Sequence, residues 1–501
     1  MNLPVVASGL LGVVLLVLGW PGAQVAARTP AWSLAAVPAV AGLVAAFGVM
    51  ISVLTEASLS AALVPVALAG WMGWVMVVIR RTGTGTIHDP RVRPGDEPGL
   101  AVLLVAVATA LVPVVLVDIP PVGSDARFIW WFHAAWFRGG GAVARDGLSH
   151  PAFAPTHPGY PPAAPGLIAS VWHLADAYDR ELALRVSQLL TAAAVAAAGF
   201  FTAAVLRLPR RRAVVVAAVV VGVAWGTNVT VGLLGFVDVL WAALLVGAAV
   251  LLLCGPVDRR TIVVGALFAA AAALTKYEAG GAAALLVAVA AARAGRDWRR
   301  VLPVALAVGG SLAAWVTVTA VSDVPSEDRG DWSALADLAD PTSAVRARAM
   351  ETIGHLAGEL GPLVGFGALA VVVLVALARL SGTPLRQPGL LSLLGLAGGY
   401  LVFLTGAVTV APLPLEEYTD YGNYRTVIAI RMLVVVDVVV AVVASARALG
   451  WWPPAATPDV VPCGSVGPRA STSGRRGAEA GERVVADGPA VRSAAGTVRP
   501  R

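Results

Sequence analysis

The sequence predicts an all-α, polytopic bundle of transmembrane helices, and three observations carry that prediction. Apolar runs recur along most of the chain, many of them long enough to cross about 30 Å of hydrocarbon. The composition is 58% hydrophobic and only 13% charged, with a mean hydropathy of +0.80, well outside the range of soluble domains. Arginines gather in short clusters between the runs, the pattern that sets orientation in a membrane. The net charge of +6 and pI near 9.8 would otherwise suggest nucleic acid. Their clustering assigns them to topology, and no nucleic-acid partner is expected.

The runs fall near 4–20, 31–54, 57–79, 99–117, 184–206, 213–227, 232–253, 262–275, 280–293, 301–321, 362–380, 388–411 and 425–449, which predicts about 13 spans. The first lacks a basic leading segment and reads as a retained span rather than a signal peptide. Several later runs, such as 262–275, are helical because Ala, Val and Leu fill every face. Arg80, Arg81, Arg91, Arg93, the RLPRRR turn at 207–212, Asp258-Arg259-Arg260, and Arg293, Arg296, Arg299 and Arg300 belong on the cytoplasmic side. That places 118–160, 226–238, 276–280, 322–360 and 412–424 on the outer side. The run 161–176, which carries His173, then has no parity of its own and must be re-entrant or interfacial.

Residues 1–98 read as N-terminal helices with a cytoplasmic linker, 99–450 as the core, and 451–501 as a disordered tail rich in Pro, Gly, Ser and Arg. The two cysteines, Cys254 and Cys463, suggest neither a disulfide nor a metal site.

The long outer loop, 118–160, is the one polar-aromatic interruption in this apolar chain. It gathers Asp118, Asp125, Asp146, Arg127, Arg138, Arg145, His133, His150 and His157. Such groups beside a bilayer point to chemistry rather than connection. From Asp125 to Arg138 a helical stripe of Phe128, Trp131, Phe132, Ala135 and Trp136 predicts a helix lying in the interface, with Trp130 and Phe137 off the stripe. Asp125 suits an N-cap and equally a general base at the water–lipid boundary. His157-Pro158-Gly159-Tyr160-Pro161-Pro162 is a rigid turn, either a plain helix entry or a holder of polar substrate through its His and Tyr.

Asp238 stands where an apolar run meets the outer surface and needs water or a cation. A plain interfacial aspartate accounts for it slightly better than a site residue. Lys276 is the only lysine among 36 Lys+Arg residues, set between two apolar runs with Glu278 two residues on. A snorkelling role is available, yet a compact charge able to bind phosphate or pair a carboxylate favours function. Near the end, a polar turn from Glu416 to Arg425 precedes Arg431, and Asp437 lies deeper, where it is expected to bond a neighbouring helix.

Taken in order, SDARFIWWFHAAWF, HPGYPP, GFVD, LTKYEAG and TVIAIRML resemble the GT-C superfamily of integral membrane glycosyltransferases, in particular bacterial members similar to protein O-mannosyltransferases and aminoarabinose transferases. The resemblance covers roughly 99–450. It implies an inverting transferase that takes a sugar from a polyprenyl-phosphate donor at the outer leaflet and passes it to a glycan, lipid or protein acceptor. It maps catalysis to Asp125 and substrate binding to His157, Tyr160, Asp238, Lys276, Glu278 and Arg431, with Tyr277 where Asn is commoner. No Asp-Glu pair stands in the first loop, so a protein acceptor is not implied. Arg127 joins Lys276 and Arg431 as a cation for the leaving phosphate. No cofactor is certain from the sequence. A divalent cation between Asp125, Asp238 and the lipid phosphate stays open, since no ligand spacing demands one. The alternatives are a secondary transporter or lipid flippase, which would show midplane charges and repeats, and an inactive polyprenyl-phosphate-binding subunit. Convergence of Asp125, Asp238 and Lys276 in one outer cavity discriminates among them.

Overall fold

The computed structural model describes residues 3–27, 29–83, 99–118, 123–325, 331–380, 389–411, 425 and 427–449. The tail from 451, Arg91, Arg93, Cys463 and the turn 416–424 lie outside these. Among the described residues the chain is helical, with no strand. Eight stretches are long and apolar enough to cross a bilayer, and a ninth if the bent pair Ala344–Pro362 and Val364–Ala376 counts as one. Leu100–Leu116, Ala163–Ala175 and Asp238–Cys254 are apolar but shorter.

The first helices are α1 (Leu3–Ala27), α2 (Pro30–Thr55), α3 (Leu59–Gly83) and α4 (Leu100–Leu116). A π-helical turn (Ala126–Trp131), α5 (Phe132–Gly139), α6 (Gly141–Ser149) and a short 3-10 turn (Pro151–Thr156) make up the loop. Then come α7 (Ala163–Ala175), α8 (Arg180–Val205), α9 (Arg210–Leu233), α10 (Asp238–Ala249), α11 (Arg259–Ala273), α12 (Tyr277–Ala294) and α13 (Leu302–Val321). Finally α14 (Ala344–Leu380) breaks at Gly361-Pro362, and α15 (Leu390–Thr409) and α16 (Ile428–Ala448) complete the bundle.

Helices α8 and α10 form the centre, and every residue of α10 is buried. Small residues let the backbones approach, as packing without a hydrophobic drive between helices requires. A side chain at Gly199 would meet the Ala217 carbonyl of α9, and one at Gly19 the Val37 carbonyl of α2. Helix α2 sits within the bundle against α7, α8 and α11.

The loop 123–162 gathers at one end of the bundle and is stitched down by charge. Arg138 reaches Asp176 at 2.8 Å and lies over the Tyr178 ring. Arg145 pairs with Glu56 at 2.8 Å, and Arg185 of α8 with Asp118 at 2.9 Å. Gly140 and Gly141, both at positive φ, press against the α2–α3 turn, where the Gly141 amide donates to Ser52 Oγ. A side chain at Gly141 would run into the Glu56 carbonyl from a backbone conformation that L-residues resist. Gly141→Ala is therefore expected to cost about 1–3 kcal/mol, read as a lowered unfolding midpoint in detergent.

The aromatic helix differs from expectation. Trp130, Trp131, Trp136 and Phe137 are all at least nine-tenths buried, whereas Phe128 is 63% exposed. The rings pack on protein because α7 lies alongside α5, so two faces are covered instead of one stripe. His133 is buried with them. Burial pushes its imidazole down to about 3, and the neighbouring His157 adds to that. A folded value below the unfolded one means the unfolded chain binds the proton first as pH falls. Stability is thus unaffected above about pH 6.5 and declines from there down to about pH 3. Between pH 7 and 5 this group alone is expected to remove about 2 kcal/mol. His133→Gln should flatten that slope in a pH series of thermal unfolding.

Helix α7 keeps both ends of the run 161–176 beside the aromatic loop. The amide of Ala163 donates to the Leu274 carbonyl at 2.9 Å, beside Lys276. Its far end, Asp176, holds Arg138 of the same loop. Both ends therefore lie at one end of the bundle, and thirteen residues span only about 20 Å. Asp179 then caps α8 through the amides of Glu181 and Leu182. The opposite end carries the arginine-rich turns. There Arg447 donates to the Leu206 carbonyl and Arg293 to the Leu252 carbonyl.

Asp437 of α16 is fully buried, and neither carboxyl oxygen bonds anything among the described residues. The expected bond to a neighbouring helix is not formed there, because the side chain is enclosed in apolar packing.

Candidate functional site

Three helix starts and one loop deliver the charges to one place. Asp238 opens α10 and Lys276 stands just before α12. Glu278 is in the first turn of α12, and Asp125 precedes the π-turn. Lys276 Nζ lies 2.9 Å from Asp238 Oδ1 and 3.1 Å from Glu278 Oε1. Arg425 Nη1 lies 2.6 Å from Asp125 Oδ2 and 3.9 Å from Asp238 Oδ2. Asp238 is thus shared by both cations, which joins Asp125, Asp238 and Lys276 into one network of three carboxylates and two cations.

Burial bears on two of the readings that the sequence offers. The Asp238 side chain is 2% exposed and that of Lys276 9%. A plain interfacial aspartate and a snorkelling lysine would both reach water, and these do not. Asp125 has helical dihedrals and its carboxylate caps no amide. It is not an N-cap, and its carboxylate faces Arg425.

The turn 157–162 forms one wall. Tyr160 stacks on Trp130 at 5.2 Å, with His157 at 5.2 Å and Tyr277 at 5.3 Å. Lys276 Nζ stands 6.0 Å over the Tyr160 ring, an electrostatically favourable approach. The Trp315 indole donates to the Gly159 carbonyl at 2.6 Å, and His157 sits at φ +53, a conformation that non-glycine residues hold only when their surroundings impose it.

Arg127, two residues beyond Asp125, carries its guanidinium over the Phe128 ring at 5.8 Å. Arg431 does not join Asp238 and Lys276. Its guanidinium pairs with Glu359 of α14 at 3.7 Å. The residue that reaches the network is Arg425, one element earlier, its guanidinium 4.6 Å over the Phe236 ring. Tyr400 of α15 was also not foreseen. It is fully buried, lies within electrostatic reach of Glu278, Lys276 and Asp238, and has a hydroxyl without a hydrogen-bond partner among the described residues. Glu278 Oε2 is likewise buried without a bond. Below Thr275 and Leu240 an apolar cavity is lined by Pro38, Gly42, Leu167 and Leu244.

Among the described residues no three His, Cys, Asp or Glu side chains gather as a metal-ligand set. Each carboxylate of the network is taken up by Lys or Arg. No known family, curated protein or solved structure matches the chain. The site therefore speaks through its own geometry.

Proposed function

We propose that the chain is an integral membrane glycosyltransferase of GT-C type that moves a sugar from a polyprenyl-phosphate donor to an acceptor hydroxyl at the outer face of the cytoplasmic membrane. The observation that carries this reading is the single network linking Asp125, Asp238, Glu278, Lys276 and Arg425 at the aromatic-loop end. Transfer needs a carboxylate to take the acceptor's proton and fixed cations for the charge that develops on the leaving phosphate. Asp125 is the base in this reading. The acceptor oxygen forms its bond to the anomeric carbon as the bond to the phosphate oxygen breaks. The hydroxyl proton passes to Asp125, and the lipid phosphate leaves against Lys276 and Arg425. Arginine-rich turns at the opposite end support an outer location, and with α7 kept on the site side the alternation accommodates about 13 crossings.

The test is transfer by vesicles carrying the full chain, offered a panel of radiolabelled polyprenyl-phosphate sugars and envelope acceptors. Label arriving covalently in the acceptor fraction is the expected result. Asp437, a buried carboxyl within α16, favours a proton-coupled transporter as the second reading. Label that crosses the vesicle unchanged would select it.

A further inference from the structure

Resting on the reading of Asp125 as the base, we propose that Arg425 is a latch on Asp125 that a lipid-borne phosphate opens. One oxygen of the base is occupied as the site stands. Arg425 Nη1 is 2.6 Å from Asp125 Oδ2, a charge-assisted bond on an oxygen that would otherwise receive the acceptor's proton. Among the described residues the network holds three carboxylates against two cations, so these two cations are already taken up by carboxylates. A phosphate enters only if a carboxylate gives up its cation. The side chains of Asp238, Glu278 and Asp125 are 2%, 24% and 33% exposed, respectively. A carboxylate released into water loses less than one left unpaired in a dry site, so the Arg425–Asp125 pair is the one that parts. The guanidinium can turn without leaving its seat. It lies 4.6 Å over the Phe236 ring, keeps Asp238 Oδ2 within 3.9 Å, and suits bidentate phosphate binding.

The consequence is order. Asp125 becomes available only when the lipid phosphate is in place, so the base cannot deprotonate an acceptor in the absence of donor.

The test reads Asp125 itself and needs no sugar transfer. The full chain in vesicles is treated with a water-soluble carbodiimide and an amine tag, and labelling at Asp125 and Glu278 is followed by mass spectrometry. The vesicles contain undecaprenyl phosphate, phosphatidylglycerol alone, or phosphatidylglycerol with inorganic phosphate added. Asp125 labelling is expected to rise severalfold with undecaprenyl phosphate only, while Glu278 stays constant. Arg425→Gln should show the high level without lipid and no response to it. Arg425→Lys, which retains a cation, should respond only at higher lipid content. Unchanged Asp125 labelling under saturating undecaprenyl phosphate, measured by retention of the radiolabelled lipid, overturns the latch. So does an equal rise with inorganic phosphate, which would make free phosphate the ligand. A labelling response without transfer from any donor would leave the latch standing and remove the transferase. Transfer without a response would do the reverse.

Discussion

Replacing Lys276 by Met is expected to destabilise the protein by about 3–5 kcal/mol, the range seen when one partner of a buried ion pair is removed. The ammonium sits between Asp238 at 2.9 Å and Glu278 at 3.1 Å. Without it, Asp238 keeps only the distant Arg425 and is charged in a dry site. The double replacement Lys276→Met with Asp238→Leu should restore most of the loss, because the fully buried carboxylate is then gone and Glu278, at 24% exposed, can still reach water. Unfolding in detergent, followed by heat or denaturant, measures both. A single variant as stable as the parent would mean that water reaches Asp238 and that the pair is a surface one. Lys276→Arg should not rescue, since a planar fork does not fit where a compact ammonium sits between two carboxylates.

Asp125→Asn is expected to lower sugar transfer by a factor of about 10²–10⁴, the usual share of a positioned general base. The amide oxygen still accepts from Arg425, so the loop stays docked and the unfolding midpoint should move little. The Asp125 side chain is 33% exposed, far from the burial that makes Lys276 structural. The two variants are therefore expected to separate: one should lose stability, the other transfer. Donor binding retained by Asp125→Asn, with transfer lost, is the expected split. Equal transfer by variant and parent would leave Asp125 as only a partner for Arg425.

The helices were legible because a bilayer-length apolar run admits little else, and α8, α9 and α16 stand on the runs that predict them. Lys276 was legible from composition alone, since one lysine among so many arginines marks a place where a guanidinium will not do. The pairing of Asp125 with Arg425 was not, for no local pattern links a first-loop carboxylate to an arginine late in the chain. Arg431, mapped by resemblance, pairs with Glu359 on the broken helix α14, and Arg425, the last residue of the polar turn, is the one that reaches Asp125 and Asp238. The aromatic helix misled because a stripe argument assumes one covered face. Trp130 and Phe137, off the stripe, are buried because α7 packs along the loop.

One property of the centre has a practical use. Lys276 carries the only side-chain amine in the chain, and it is held 7% exposed at the meeting point of the network. Reductive methylation with isotope-enriched formaldehyde would therefore place a single spectroscopic probe in the site, beside only the chain's own α-amino group. The rate of that reaction would clock how often the site opens to water, and the resonance would report each ligand that enters.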